Sequence, residues 1–219
     1  MKRSKYFLFL VFIIFSVAQV FAQPFSDEIK DFKKQDSLNP PPTGAILFVG
    51  SSSFRKWTDV SSYFPGYTII NRGFGGSTLP DVTMYIDDII LPYHPKQVVI
   101  YCGDNDLASS DAITADSVLG RFKVLFDGIR TKLPGENIVF VSIKPSPSRA
   151  RLKEKMEKAN LLIQTYLSLY THTGFVDVYH KMLNPDGTIM SDLFLEDNLH
   201  MNAKGYAIWQ KAIAPYLSK

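Results

Sequence analysis

The sequence predicts a three-layer α/β fold, a parallel sheet covered by helices on both faces. Two observations carry that prediction. Short apolar, β-branched runs recur along the chain, and they are continuous rather than alternating, as in strands buried on both faces. Between them the apolar residues recur every three or four positions, as along one face of a helix. Strand–helix alternation of this kind forms a parallel sheet through right-handed crossovers.

The elements follow in order. Met1–Ala22 reads as a secretory leader: Lys2, Arg3 and Lys5 precede an apolar stretch from Tyr6 to Phe21, and small Ala22 closes it before Gln23. The stretch is short for the ~20 residues that span a bilayer, so cleavage and export are expected rather than retention as an anchor. Residues 23–43 form an N-terminal segment: polar Ser26–Ser37 predicts a short surface helix, and Asn39-Pro40-Pro41-Pro42 a stiff connector. The domain is expected over 44–219. Its strands are predicted at Ile46–Val49, Tyr67–Ile70, Val98–Tyr101, Ile138–Ile143 and Phe175–Val178. Helical stripes fall within 111–133 (Val118, Phe122, Leu125, Ile129, Leu133), within 149–170 (Leu152, Met156, Ala159, Ile163, Tyr166, Tyr170) and over 206–216.

Composition narrows the function classes. The 219 residues carry a formal charge of +3, but the leader holds three basic and no acidic residues, and without it 21 of each sign remain. A basic footprint for nucleic acid is therefore absent. The single cysteine, Cys102, excludes an internal disulfide framework and multi-cysteine metal sites, and it reads as a small buried hydrophobe.

Ligands of parallel α/β sheets bind beyond the carboxyl ends of the strands, so the loops there hold the candidates. Gly50-Ser51-Ser52-Ser53 follows the first strand. A serine at a strand-to-helix turn serves as a helix cap, or as a nucleophile beside unpaired amides that stabilise an oxyanion. The glycines of Asn71-Arg72-Gly73-Phe74-Gly75-Gly76-Ser77-Thr78 allow close backbone approach, yet miss the dinucleotide fingerprint. Gly103-Asp104-Asn105-Asp106 follows the third strand; the cluster can cap the next helix, or an Asn105 side chain aimed into the crevice can donate its amide to developing negative charge. A metal reading of the aspartates lacks histidines at ligand spacing. In Asp197-Asn198-Leu199-His200 a carboxylate three residues before a histidine can hold Nδ1–H and leave Nε2 to take a hydroxyl proton. His94, His172 and His180 are set aside as lacking a comparable partner. In Lys144-Pro145-Ser146-Pro147-Ser148-Arg149, Lys144 and Arg149 read as solvated charges, or as contacts for an anionic or sugar-like group.

Taken together, the four blocks resemble the SGNH hydrolases, the GDSL-like esterase and lipase family: Gly50-Ser51-Ser52, Gly76 in NRGFGGST, Asn105 in GDND, and Asp197-x-x-His200. The resemblance runs from about Ala45 to Tyr216. One departure is visible: Ser51 stands where the family's name puts aspartate. The resemblance implies a flavodoxin-like sheet of five parallel strands, with Ser52 as nucleophile, His200 as general base and Asp197 as its orienting partner. It implies an oxyanion hole of the Ser52 and Gly76 amides with the Asn105 side chain, and neither metal nor organic cofactor. The expected substrate is a small-molecule or carbohydrate ester with a short, acetyl-like acyl group. A lysophospholipase or thioesterase, a silent glycan-binding domain, and a metal-dependent phosphoesterase on a similar sheet are the rivals.

Overall fold

The computed structural model describes residues 23–219, so the predicted leader, 1–22, lies outside the described residues. In chain order the elements are α1 (Ser26–Leu38), β1 (Ile46–Gly50), α2 (Ser52–Arg55), α3 (Val60–Tyr63), β2 (Ile69–Gly73), α4 (Leu79–Met84) and α5 (Ile86–Ile89). Then come β3 (Gln97–Tyr101), α6 (Asp104–Ser109), α7 (Ala115–Lys132), β4 (Asn137–Val141), α8 (Lys153–Leu167), β5 (Thr173–Val176) and α9 (Ala203–Ile213). All strand pairings are parallel, in the order β2-β1-β3-β4-β5. The order reverses between β1 and β3, and a crevice opens beyond the strand ends at such a point.

Side-chain alternation divides the core. Leu47, Val49, Val98, Ile100, Ile138 and Phe140 face the layer that contains α1, α4, α5, α7 and α8. Ile46, Phe48, Val99, Tyr101, Val139 and Val141 face α2, α3 and α9, where Trp57 stacks on Tyr206 at 4.8 Å. The predicted stripes are buried along most of their length: Val118, Phe122, Leu125 and Ile129 on α7, Met156, Ala159 and Ile163 on α8, and Tyr206, Trp209 and Ile213 on α9. Tyr170 and Tyr216, at the ends of the last two stripes, lie past α8 and α9 and are exposed.

Strand ends shift for identifiable reasons. β2 runs on through half-buried Asn71 and Arg72 because it is an edge strand, paired with β1 alone. β4 stops at Val141 and β5 at Val176, where Ser142 Oγ accepts the amides of Val178 (2.9 Å) and Tyr179 (3.0 Å) in place of ladder bonds. The predicted surface helix forms as α1 but is fastened to the domain. Ile29 is buried, Phe25 meets Phe74 edge-on at 5.1 Å, and Asp36 accepts from Tyr93 Oη (2.5 Å) and pairs with Arg72. Among the described residues no helix is long and apolar enough to cross a membrane.

Candidate active site

At the end of β1 the chain must turn sharply against β3. Gly50 has φ +129°, and a Cβ there would lie 1.9 Å from the Tyr101 carbonyl oxygen, so only glycine fits. The same carbonyl accepts the Ser51 amide at 2.9 Å. This turn sets Ser52 at the first position of α2, half-buried. Ser51 takes the capping position, yet its Oγ is buried without a partner, so neither serine caps the helix through its side chain.

Before α9 the chain folds back on itself. Leu195 N donates to His200 O (2.8 Å), and Asn198 takes a left-handed conformation (φ +53°), which asparagine tolerates. Within this turn Asp197 Oδ1 accepts the Leu199 and His200 amides at 3.0 and 2.9 Å, and Oδ2 lies 2.6 Å from His200 Nδ1. Desolvation by itself would raise the Asp197 carboxyl; the bonds from His200 and Leu199 outweigh it and hold the group well below the usual range. On its other side His200 Nε2 lies 3.0 Å from Ser52 Oγ, a contact between residues 148 positions apart. The structure thus brings Ser52, His200 and Asp197 into one hydrogen-bonded chain.

The remaining candidates border the same serine. Phe74 N donates to Gly50 O (2.9 Å), which ties the loop after β2 to the loop after β1. Asn71 bridges them too, donating Nδ2 to the Phe54 and Trp57 carbonyls (2.7 and 3.2 Å) and accepting Gly73 N–H (3.0 Å). Gly76, at φ +77°, is exposed with open space beside it. Among the described residues, no protein acceptor takes the Ser52 or Gly76 amide hydrogen. Asn105 Nδ2 donates one hydrogen to Ser77 O (3.0 Å), and its second remains available.

A family model for the GDSL-like Lipase/Acylhydrolase family matches residues 44–208. The chain belongs to that family. Among curated proteins this acylhydrolase-family chain is 28% identical over 180 residues to platelet-activating factor acetylhydrolase IB subunit alpha1 of Pongo abelii, covering 78% of this chain and 74% of that protein. Among solved structures it is similar to a GDSL-like lipase from Bacteroides thetaiotaomicron (TM-score 0.70, 21% identity, 86% and 96% of the two chains). It is also similar to a Clostridium thermocellum family 3 carbohydrate esterase (TM-score 0.61, 19% identity, 80% and 96%). At these identities the structural likenesses establish the fold: the five-stranded parallel sheet that the sequence resemblance implied.

Two expectations about charged residues are corrected. Lys144 and Arg149 are not solvated: their side chains are 1% and 16% exposed and both turn toward Asp104. Arg149 Nη1 lies 2.9 Å from Asp104 Oδ2, an ion contact without hydrogen-bond alignment, and Lys144 Nζ lies at 3.7 Å. Arg149 Nη2 donates to Asn105 Oδ1 at 2.8 Å, so the cation fixes which end of that amide faces Ser77. Burial lowers the Lys144 ammonium pKa despite the attraction of Asp104. Asp106 is equally committed, accepting Leu79 N–H (3.0 Å) and Arg121 Nη1 (2.8 Å); burial raises its carboxyl pKa against the pull of Arg121.

The second correction concerns His180. Asp177 stands three residues before it, the spacing seen at His200, and the two pair at 2.8 Å. His180 therefore does have a comparable carboxylate partner. Its Nε2 faces Glu157 at 3.7 Å rather than a hydroxyl, and its side chain is largely exposed. Cys102 is buried with Sγ 3.4 Å from Ser77 O, and burial pushes its thiol pKa well up.

Proposed function

We propose that this acylhydrolase-family chain is an exported serine esterase that removes short acyl groups, acetyl above all, from a carbohydrate or another small alcohol. The observation that carries the reading is the 3.0 Å contact between Ser52 Oγ and His200 Nε2, with Asp197 behind the ring at 2.6 Å. A serine hydroxyl is a weak nucleophile at neutral pH and needs such an adjacent base. His200 takes the Ser52 proton as Oγ attacks the ester carbonyl, and Asp197 holds the ring and supports its positive charge. The oxyanion falls to the free amides of Ser52 and Gly76 and the spare hydrogen of Asn105, donors each worth about 2.7–4 kcal/mol when removed. His200 then protonates the departing alcohol. Water, deprotonated by the same ring, releases the acid from Ser52.

Acetyl specificity rests on the names of related proteins, an acetylhydrolase among the curated relatives and a carbohydrate esterase among the structures. Export rests on the leader sequence. The test is hydrolysis of p-nitrophenyl esters from acetate to octanoate, with acetylated xylose alongside, by wild type and Ser52→Ala. The reading expects acetate to be preferred and Ser52→Ala to lose at least ~10³-fold in kcat. Octanoate preference overturns the acyl assignment, and undiminished turnover by Ser52→Ala overturns the nucleophile.

A further inference from the structure

The family-matched region begins at residue 44, yet a carboxylate from the preceding helix reaches the loops that border Ser52. Glu28 Oε2 on α1 lies 2.9 Å from Arg55 Nε, an ion contact without hydrogen-bond alignment, and accepts the Gly75 amide hydrogen at 3.2 Å. Arg55 ends α2, the four-residue helix that Ser52 begins. Gly75 immediately precedes Gly76, whose amide faces no protein acceptor. One carboxylate oxygen therefore joins the nucleophile's helix to the turn that carries an oxyanion donor. We propose that Glu28 is a positioning residue for the esterase reaction and that α1 is a working part of the site.

The proposal rests on the serine-esterase reading above and on the two glycines at the tip of this turn. Phe74 and Ser77 on either side are held, Phe74 N by Gly50 O (2.9 Å) and Ser77 Oγ on Phe74 O (3.2 Å), whereas the Gly75-Gly76 peptide between them has Glu28 as its restraint. Gly75-Gly76 is a pair of residues with the widest backbone freedom, and the direction of the Gly76 N–H follows the peptide plane between them. The Gly75 N–H is the backbone donor that Glu28 secures. Arg55 closes over the same residue: a Cβ on Gly75 would lie 2.9 Å from its Nη1. Without the carboxylate, the guanidinium and the amide lose their common partner, and the turn is free to rotate its next N–H away from the ester oxygen.

Glu28 is itself delivered by a well-anchored helix, with anchors on β2, on the loop after it and at the junction of α4 and α5. Asp36 pairs with Arg72, Phe25 packs on Phe74, and Tyr85 Oη donates to Pro24 O at 2.6 Å. These contacts hold α1 at both ends of its length, so truncating Glu28 leaves the helix docked. The Glu28 and Arg55 side chains are 29% and 54% exposed, too open for their pairing to add much to stability. What the pair supplies is geometry, and a misplacement of about 1 Å can cost ~10²-fold in rate.

The experiment compares Glu28→Ala, Glu28→Gln and Ser52→Ala in the full chain, with Lys30→Ala as a control at an exposed position of the same helix. Readouts are kcat and KM for p-nitrophenyl acetate, the rate of Ser52 modification by a fluorophosphonate, and Tm. Glu28→Ala should lower kcat about 10- to 100-fold with KM nearly unchanged, and slow phosphonylation by a similar factor, while Tm stays near wild type. Glu28→Gln keeps an acceptor for the Gly75 amide and should recover most of the rate; Lys30→Ala should match wild type. A kcat for Glu28→Ala within twofold of wild type overturns the proposal, as does equal loss in both Glu28 variants accompanied by a fall in Tm. Should Ser52→Ala remain active, the esterase reading fails, whatever Glu28 does.

Discussion

Replacing Arg149 by methionine isolates the contribution of a side chain that touches no reacting atom. The substitution keeps the aliphatic stem and removes the 2.8 Å bond from Nη2 to Asn105 Oδ1. A bond with one charged partner contributes about 1.5–3 kcal/mol, which at about 1.4 kcal/mol per decade bounds the rate loss at roughly 10- to 150-fold. The lower end is expected, because Asn105 Nδ2 keeps its bond to Ser77 O at 3.0 Å and a flipped amide would set oxygen against oxygen. Kcat for p-nitrophenyl acetate should therefore fall about tenfold, with KM little changed. Asn105→Ala, which deletes the donor itself, should lose about 10²–10³-fold. Arg149→Met also leaves the buried Asp104 carboxylate with only the Asn105 amide (3.1 Å) and Lys144 (3.7 Å), so stability should drop by about 2–3 kcal/mol and Tm by about 5–10 °C. Rates must be read well below that Tm. Wild-type kcat in folded Arg149→Met, alongside a disabled Asn105→Ala, would show that Ser77 alone orients the amide and refute the reasoning.

Other expectations are separately testable. His200→Ala should cost at least ~10³-fold in kcat, whereas Asp197→Ala should cost about 10- to 100-fold, since that carboxylate is 45% exposed and water can replace it in part; steady-state kinetics of the two variants decides. The depressed Asp197 pKa keeps that carboxylate charged at every pH above the ordinary carboxylate range, and its support is lost only as pH falls through the lowered value. An acid limb in kcat/KM above about pH 5 should therefore reflect a group other than Asp197, and a carbon-13 NMR titration in which the Asp197 carboxyl itself titrates with that limb would contradict this. Gly50→Ala forces a Cβ to within 1.9 Å of the Tyr101 carbonyl at a φ of +129°, and should destabilise by about 3 kcal/mol or more in denaturant titration. Turnover should survive prolonged incubation with EDTA; its loss, with recovery on adding a divalent ion, would favour the phosphoesterase alternative.

The parts of this molecule visible in the sequence are those governed by local periodicity. Buried strands such as Val98–Tyr101 announce themselves by unbroken β-branched residues, and α7 and α8 by their stripes. The four loop blocks were legible because each holds a residue type that chemistry or backbone geometry demands. Less visible was whatever depends on partners distant in sequence. Asn71 and Arg72 look like loop residues, yet an edge strand tolerates them. Lys144 and Arg149 look like rim charges until Asp104, some 40 positions away, draws them inward. Polar α1 resembles a free surface helix because the groups that fix it, Arg72, Tyr93 and the Gly75 amide, belong to β2, its loop and the segment before β3. The Asp177–His180 pair shows the opposite limit: a spacing able to hold an imidazole is not a site unless a nucleophile stands on its far side.

Three consecutive serines follow Gly50, and the account requires one particular member to react. Treating the full chain with a fluorophosphonate and mapping the adduct by peptide mass spectrometry tests that directly. One phosphonyl group on Ser52, absent from Ser52→Ala and formed in step with loss of esterase activity, is the predicted result. An adduct on Ser51 or Ser53, or full inactivation with Ser52 unmodified, would contradict it.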